Sequence, residues 1–131
     1  MTRNQAFAAA ATAAVLLGLV LGFTEAGSPG LQRRANADVV RSQNLHAISL
    51  DIRRRYAAHS QLPQSLNELS RVNPNLRITD PETGAAYEYH PLDQGRFELC
   101  AVFATASGPE TIQPYGVRPH GAGRQCLTWP E

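Results

Sequence analysis

Lysine is absent from this chain: all twelve basic residues are arginine. Chemistry that needs a lysine nucleophile or Schiff base is therefore excluded. A charge excess is missing as well, because the twelve arginines face eleven carboxylates for a formal net charge of +1. Nucleic-acid-binding chains normally carry a basic surplus gathered on one face, so that class is disfavoured. Cysteine occurs only twice, as Cys100 and Cys126, with no CxxC spacing. No serine stands in a Gly-x-Ser-x-Gly context, and no Gly-rich phosphate loop precedes a helix. With 131 residues there is room for one domain of ordinary size but not for two sizeable cores.

What the chain does have is a long apolar run near its amino end. Ala6 to Phe23 contains neither charge nor proline and follows the polar start Met1 to Gln5. Eighteen helical residues rising 1.5 Å each cover about 27 Å, close to the roughly 30 Å of a bilayer core. Arg3 ahead of the run predicts that the first residues stay in the cytoplasm while everything after Phe23 crosses the membrane. The run exceeds the about 7 to 15 residues of a signal-peptide core, which favours a retained signal anchor. The alternative is cleavage after Thr24-Glu25-Ala26, giving a soluble chain beginning at Gly27. Domain limits follow as 1–26 for the anchor or signal with its short joint, and 27–131 for an extracytoplasmic domain. Beyond the membrane the compartment is oxidising, so Cys100 and Cys126 are expected to pair; two reduced buried thiols are the alternative. Closing the intervening segment contributes about 3 to 3.5 kcal/mol in the chain-entropy model.

Glu25 to Leu31 is small and turn-rich and reads as the joint. A helix is expected from Asn36, with Leu45, Ile48, Ile52 and Tyr56 on one stripe and Val40 and Ala47 widening it. Asp38 suits the start of such a helix, and Arg53, Arg54 and Arg55 suit a solvated end. Leu62-Pro63 lies past its end. Ser65-Leu66-Asn67-Glu68 has the capping-box pattern and predicts a short helix over 66–71. After Leu76 the period falls to two. Asp80-Pro81-Glu82-Thr83-Gly84 is a turn whose two carboxylates are expected to bond nearby backbone amides. Ala86 to His90 and Arg96 to Thr105 read as a hairpin, with Phe97, Leu99, Ala101 and Phe103 on one face and Cys100 on the other. Ser107 to Arg124 is a long Gly- and Pro-rich loop, and Gln125 to Trp129 a last strand.

The helix ending at Tyr56, then Leu62-Pro63, Ser65-Leu66, Leu69, Asp80-Pro81 with Gly84, and Tyr87-x-Tyr89 together resemble the globular part of type IV pilin-like proteins. The likeness is to the major pseudopilins of type II secretion in particular, and it covers Asp38 to Phe103. Gly-Ser-Pro after the apolar run, Glu98-Leu99-Cys100-Ala101 and the Gly123-x-x-Cys126 ending also resemble a group of bacterial membrane-anchored proteins. The resemblance implies an α+β fold: an amino-terminal anchor helix, then a long amphipathic helix packed on a small antiparallel sheet. It does not extend to pilus assembly. The prepilin cleavage pattern is absent, because Gly22-Phe23-Thr24-Glu25 follows the apolar run where a pilin has it ahead. The calcium that the resemblance implies near the end of the domain is poorly supplied, since that loop offers only Glu110 as a carboxylate.

Four histidines complete the inventory of reactive groups. His46 and His59 are too far apart on their helix to share a metal. Cys100, Cys126, His90 and His120 add up to two cysteines and two histidines, but no pair has zinc-ligand spacing, so no metal and no cofactor are expected. No catalytic set is expected either. The Ser107 to Arg124 loop carries Ile112, Tyr115, Val117, Arg118, His120 and Arg124, a composition suited to a contact patch or to covering the sheet. Tyr115, Arg118 and His120 are the expected contacts to a protein partner. The expectation is thus a non-catalytic structural or interaction module held in the bacterial inner membrane by residues 6–23, with its domain in the periplasm. The alternative is a small periplasmic or secreted ligand-binding domain.

Overall fold

The computed structural model describes residues 2–25, 27–108 and 115–130. It is α+β: three helices, α1 (Arg3–Glu25), α2 (Pro29–His59) and α3 (Leu66–Val72), precede three strands, β1 (Glu88–Pro91), β2 (Phe97–Phe103) and β3 (Gly123–Trp129). The chain divides into two units, Met1–Gln32 and Arg33–Glu131, so the division falls inside α2. In the first unit, α1 is long and apolar enough to cross a membrane, and its side chains from Arg3 to Thr24 are all exposed.

Helix α2 starts at Pro29, ahead of the expected Asn36. Ser28 Oγ accepts the Leu31 N–H at 3.2 Å, and proline suits the first helical position because its missing N–H has no intrahelical partner there. The stop is local. Ser60 sits at φ 55°, and its N–H bonds the Tyr56 carbonyl at 2.7 Å. Helix α3 begins at Leu66 as its Ser65-x-x-Glu68 pattern predicts, but the capping box itself does not form. Glu68 accepts the N–H of Gln64, one residue ahead of the N-cap, at 2.9 Å in place of the Ser65 N–H, and the Ser65 side chain makes no cap bond.

The sheet is antiparallel in the order β1-β2-β3. Alternation divides its side chains cleanly. Tyr89, Phe97, Leu99, Ala101, Phe103, Leu127 and Trp129 fall on the inner face, and the stripe Leu45, Ile48 and Ile52 of α2 joins them in one core with Leu66, Leu69, Leu76 and Tyr87. Phe97 and Trp129, opposite each other in register, stack with ring centroids 6.0 Å apart. Tyr89 donates its hydroxyl to the Pro63 carbonyl at 2.9 Å; burial, with Glu68 nearby, pushes its ionisation up to about 12. Gly95 closes the β1–β2 turn at φ +75°, where a Cβ would stand 2.5 Å from the Tyr56 ring. Only glycine fits both the backbone and the space.

Candidate functional site

The loop residues singled out by sequence go to three different environments. Tyr115 is 89% exposed, and its ring meets His46 edge-on at 5.6 Å. Arg118 is anchored: its N–H bonds Ser42 Oγ at 3.1 Å, its guanidinium donates to the Thr128 carbonyl at 3.1 Å, and it lies 4.7 Å from the Trp129 ring centroid. His120 is buried. It stacks on Phe103 with centroids 3.7 Å apart, and its backbone N–H bonds Ser107 Oγ at 2.9 Å. These bonds hold residues 115–120 along α2 and the end of the sheet, and only Tyr115 of the three contact candidates presents most of its surface. Ile112 and Glu110 lie outside the described residues.

A buried ionic cluster forms where sequence pattern had pointed to a helix start and a turn. Arg41 donates to Asp38 at 2.7 Å, to Asp80 Oδ1 at 3.0 Å and to Glu82 at 2.6 Å. Asp38, Arg41 and Asp80 are each less than a tenth exposed. Asp38 also accepts the Ala104 and Thr105 N–H groups at 2.9 and 2.7 Å, and the Thr105 hydroxyl. Asp80 Oδ1 takes the Glu82 and Thr83 N–H groups at 2.9 Å each, as an Asp-led turn should. One guanidinium thus ties α2 to the turn at 80–84 and, through Asp38, to the segment leaving β2. Burial raises the Asp38 carboxyl, but the hydrogen bonds from Thr105, Ala104 and Arg41 outweigh it and leave its pKa lowered. Arg41 bonds hold Asp80 well below the usual carboxylate range despite burial. Carboxylates so held are poorly suited to exchange protons near neutrality. A signal for the cluster was present in the sequence, since Asp38 and Arg41 continue the helical spacing of Leu45, Ile48 and Ile52 and therefore face inward.

The outer face of the sheet holds the third group. Cys100 and Cys126 are direct cross-strand partners joined by a disulfide, with Cα atoms 4.0 Å apart. Arg124 reaches past it to Glu88 on β1 with two parallel bonds of 2.9 and 2.6 Å, and its Nη2 stands 3.7 Å from Cys100 Sγ. Arg124 therefore holds the Glu88 carboxyl down at about 2. Cys100 ends up 1% exposed although it faces away from the core. Of the cysteine and histidine inventory, His90 joins the two cysteines on this face, whereas His120 lies against Phe103 on the other.

An open groove of about 400 Å3 runs beside the last residues of β2. Ala85, Ala86, Ala101 and Ala104 line it together with Arg41 and Asp80. Comparison with protein-family models, characterised proteins and solved structures finds no match to this chain.

Proposed function

We propose that this protein is a non-catalytic, membrane-anchored module whose pilin-like α+β domain lies outside the cytoplasm and makes contact with a protein partner. The observation that carries the reading is the pairing of two features in one chain: a 23-residue helix apolar enough to span a bilayer and a disulfide-tied domain after it. A bilayer would cover the exposed apolar surface of α1, and a disulfide persists in an oxidising compartment. The order of elements supports the pilin-like reading: a long helix, a short helix after Leu62-Pro63, then an antiparallel sheet whose first hairpin follows the Asp80 turn. Tyr115 is the strongest contact candidate, because a large, exposed, amphipathic ring is the kind of residue that anchors protein interfaces.

The test is fractionation of the native host membrane. The full chain is expected to remain in the pellet through high-salt and carbonate washes. A photo-crosslinking residue at position 115 should then capture one defined protein species, and a buried control at Leu99 should capture none. Recovery of a soluble chain beginning at Gly27 would overturn the anchor and favour the released ligand-binding alternative, for which the groove beside β2 is the place to look.

A further inference from the structure

We propose that the outer face of the sheet becomes a zinc site when the Cys100–Cys126 disulfide is reduced, with Cys100, Cys126, Glu98 and His90 as its four ligands. Register brings these residues together. His90 stands opposite Glu98, and Cys100 opposite Cys126, so two neighbouring rows of the antiparallel ladder project all four side chains from one face. Ligand atoms of Glu98, Cys100 and Cys126 lie within 4.8 Å of one another, and those of Glu88, His90 and Cys100 do likewise. The Cys100 sulfur belongs to both groups. Zn–S near 2.3 Å and Zn–N near 2.0–2.1 Å in a tetrahedron place ligand atoms about 3.3–3.8 Å apart, so His90 on β1 and Cys126 on β3, which meet through the shared Cys100 sulfur, must turn toward each other over β2 as the metal binds.

The donor set selects the metal. Two thiolates with an imidazole and a carboxylate suit a four-coordinate, borderline-soft divalent cation and not a hard one such as calcium or magnesium. Charge agrees. Two thiolates and one carboxylate around Zn2+ leave one net negative charge, and the Arg124 guanidinium already stands 3.7 Å from Cys100 Sγ. Glu88, held by both oxygens on Arg124, keeps that guanidinium at the edge of the site and is left out of the ligand set.

Opening the site requires a dithiol reductant. It transfers two electrons and two protons to the Cys100–Cys126 bond and closes to its own disulfide, so the S–S bond breaks and two thiols remain. Each thiol gives its proton to water as it binds the metal, and the zinc stays Zn2+ throughout. The site thus belongs to the chain before oxidation, where bound zinc would hold the two sulfurs in register for the later disulfide.

The experiment titrates the full-length protein, in detergent micelles, with Zn2+ against a chromophoric chelator, once with the disulfide intact and once after reduction under anaerobic conditions. The expected result is one Zn2+ per reduced chain, bound at least about tenfold more tightly than by the oxidised chain. Co2+ in its place should show sulfur-to-metal charge transfer and the visible bands of a tetrahedral ion. His90→Ala and Glu98→Gln should each weaken zinc binding about tenfold or more in the reduced chain, while the melts of their oxidised forms match the parent. The proposal is overturned by equal binding in the two redox states, by parent-like affinity in either variant, by one metal shared between two chains, or by loss of the native circular dichroism of the reduced chain with Zn2+ present.

Discussion

The two faces of the three-stranded sheet are closed by different physics. On the inner face Phe97, Leu99, Ala101 and Phe103 are removed from water by the α2 stripe and by each other, so stabilisation there scales with buried apolar area and is indifferent to redox state. On the outer face the same strand contributes Glu98, Cys100 and Val102, and the closure consists of one covalent bond overlaid by an Arg124–Glu88 pair. Among the described residues of the second unit, helices pack on one side of the sheet, and a small domain has little apolar material to spare for the other side. A disulfide and a paired charge close it instead, which makes the outer face the one whose closure depends on redox state. The Arg41 cluster is a third kind of closure, at the end of β2, where buried charge takes over from apolar packing.

The contrast breaks first on the inner face. Phe97→Ala should lower stability by about 3–5 kcal/mol and Ile48→Ala by about 2–5 kcal/mol in chemical denaturation of the full chain in micelles. Arg54→Ala, whose side chain is 77% exposed beside Asp51, should be nearly neutral. Similar losses in all three would mean that α2 does not present this stripe to the sheet. Arg41→Ala belongs in the same large class, at about 3–5 kcal/mol, because it leaves Asp38 and Asp80 buried without their cation. Both carboxyls are held below their ordinary values of 3.8. The stability they confer is therefore fully present above the unfolded pKa and is lost as pH falls through the folded values. Melting temperature of the parent should hold near neutrality and fall below about pH 4. Asp80→Asn should start lower and fall less steeply over that range.

Reduction of Cys100–Cys126 without added metal comes next. It should remove about 3 kcal/mol, read from the shift of the denaturation midpoint, and leave the inner-face packing in place. A reduced chain as stable as the oxidised one would show that the outer face contributes little.

These differences in closure also explain what the residue pattern could and could not reveal. The stripe Leu45, Ile48 and Ile52 and the alternation of Phe97, Leu99 and Phe103 are local periodicities, and the structure brings them into one core as their spacing implies. The start of α2 at Pro29 was readable in principle from Ser28 and Pro29, but Gly27 and Gly30 give the same segment the composition of a loop. The Arg41 hub depends on Asp80, 39 residues away, and no local spacing reveals such a partner. The gathering of His90, Glu98, Cys100 and Cys126 is set by strand register, so ligand spacing along the chain could not show it. The anchored positions of Arg118 and His120 were hidden for the same reason: Ser42, Thr128, Trp129, Phe103 and Ser107, which hold them, come from four separate stretches of chain.

The smallest expected effect sharpens the comparison most. Arg124 and Glu88 are both about half exposed, and water and salt screen such a pair, so Arg124→Ala should hardly move the melting temperature even though the pair is bidentate. The same substitution should have a large local effect. Glu88 is held at about 2 chiefly by the two bonds from Arg124, with His90 a lesser contributor. Without the guanidinium its carboxyl should titrate nearer the ordinary 4.5, as followed by the chemical shift of its side-chain carbon during an acid titration. Any stability the pair does confer has the sign of a depressed carboxyl, present above the unfolded pKa and lost as pH falls through about 2. Arg124 also shields Cys100 Sγ, so the variant's disulfide should be reduced faster by a small dithiol under native conditions. A large fall in melting temperature would place Arg124 among the groups that hold the fold, beside Arg41. An unmoved Glu88 titration would show that the two side chains do not meet across the sheet, and the outer face would then be closed by the disulfide without its ionic cover.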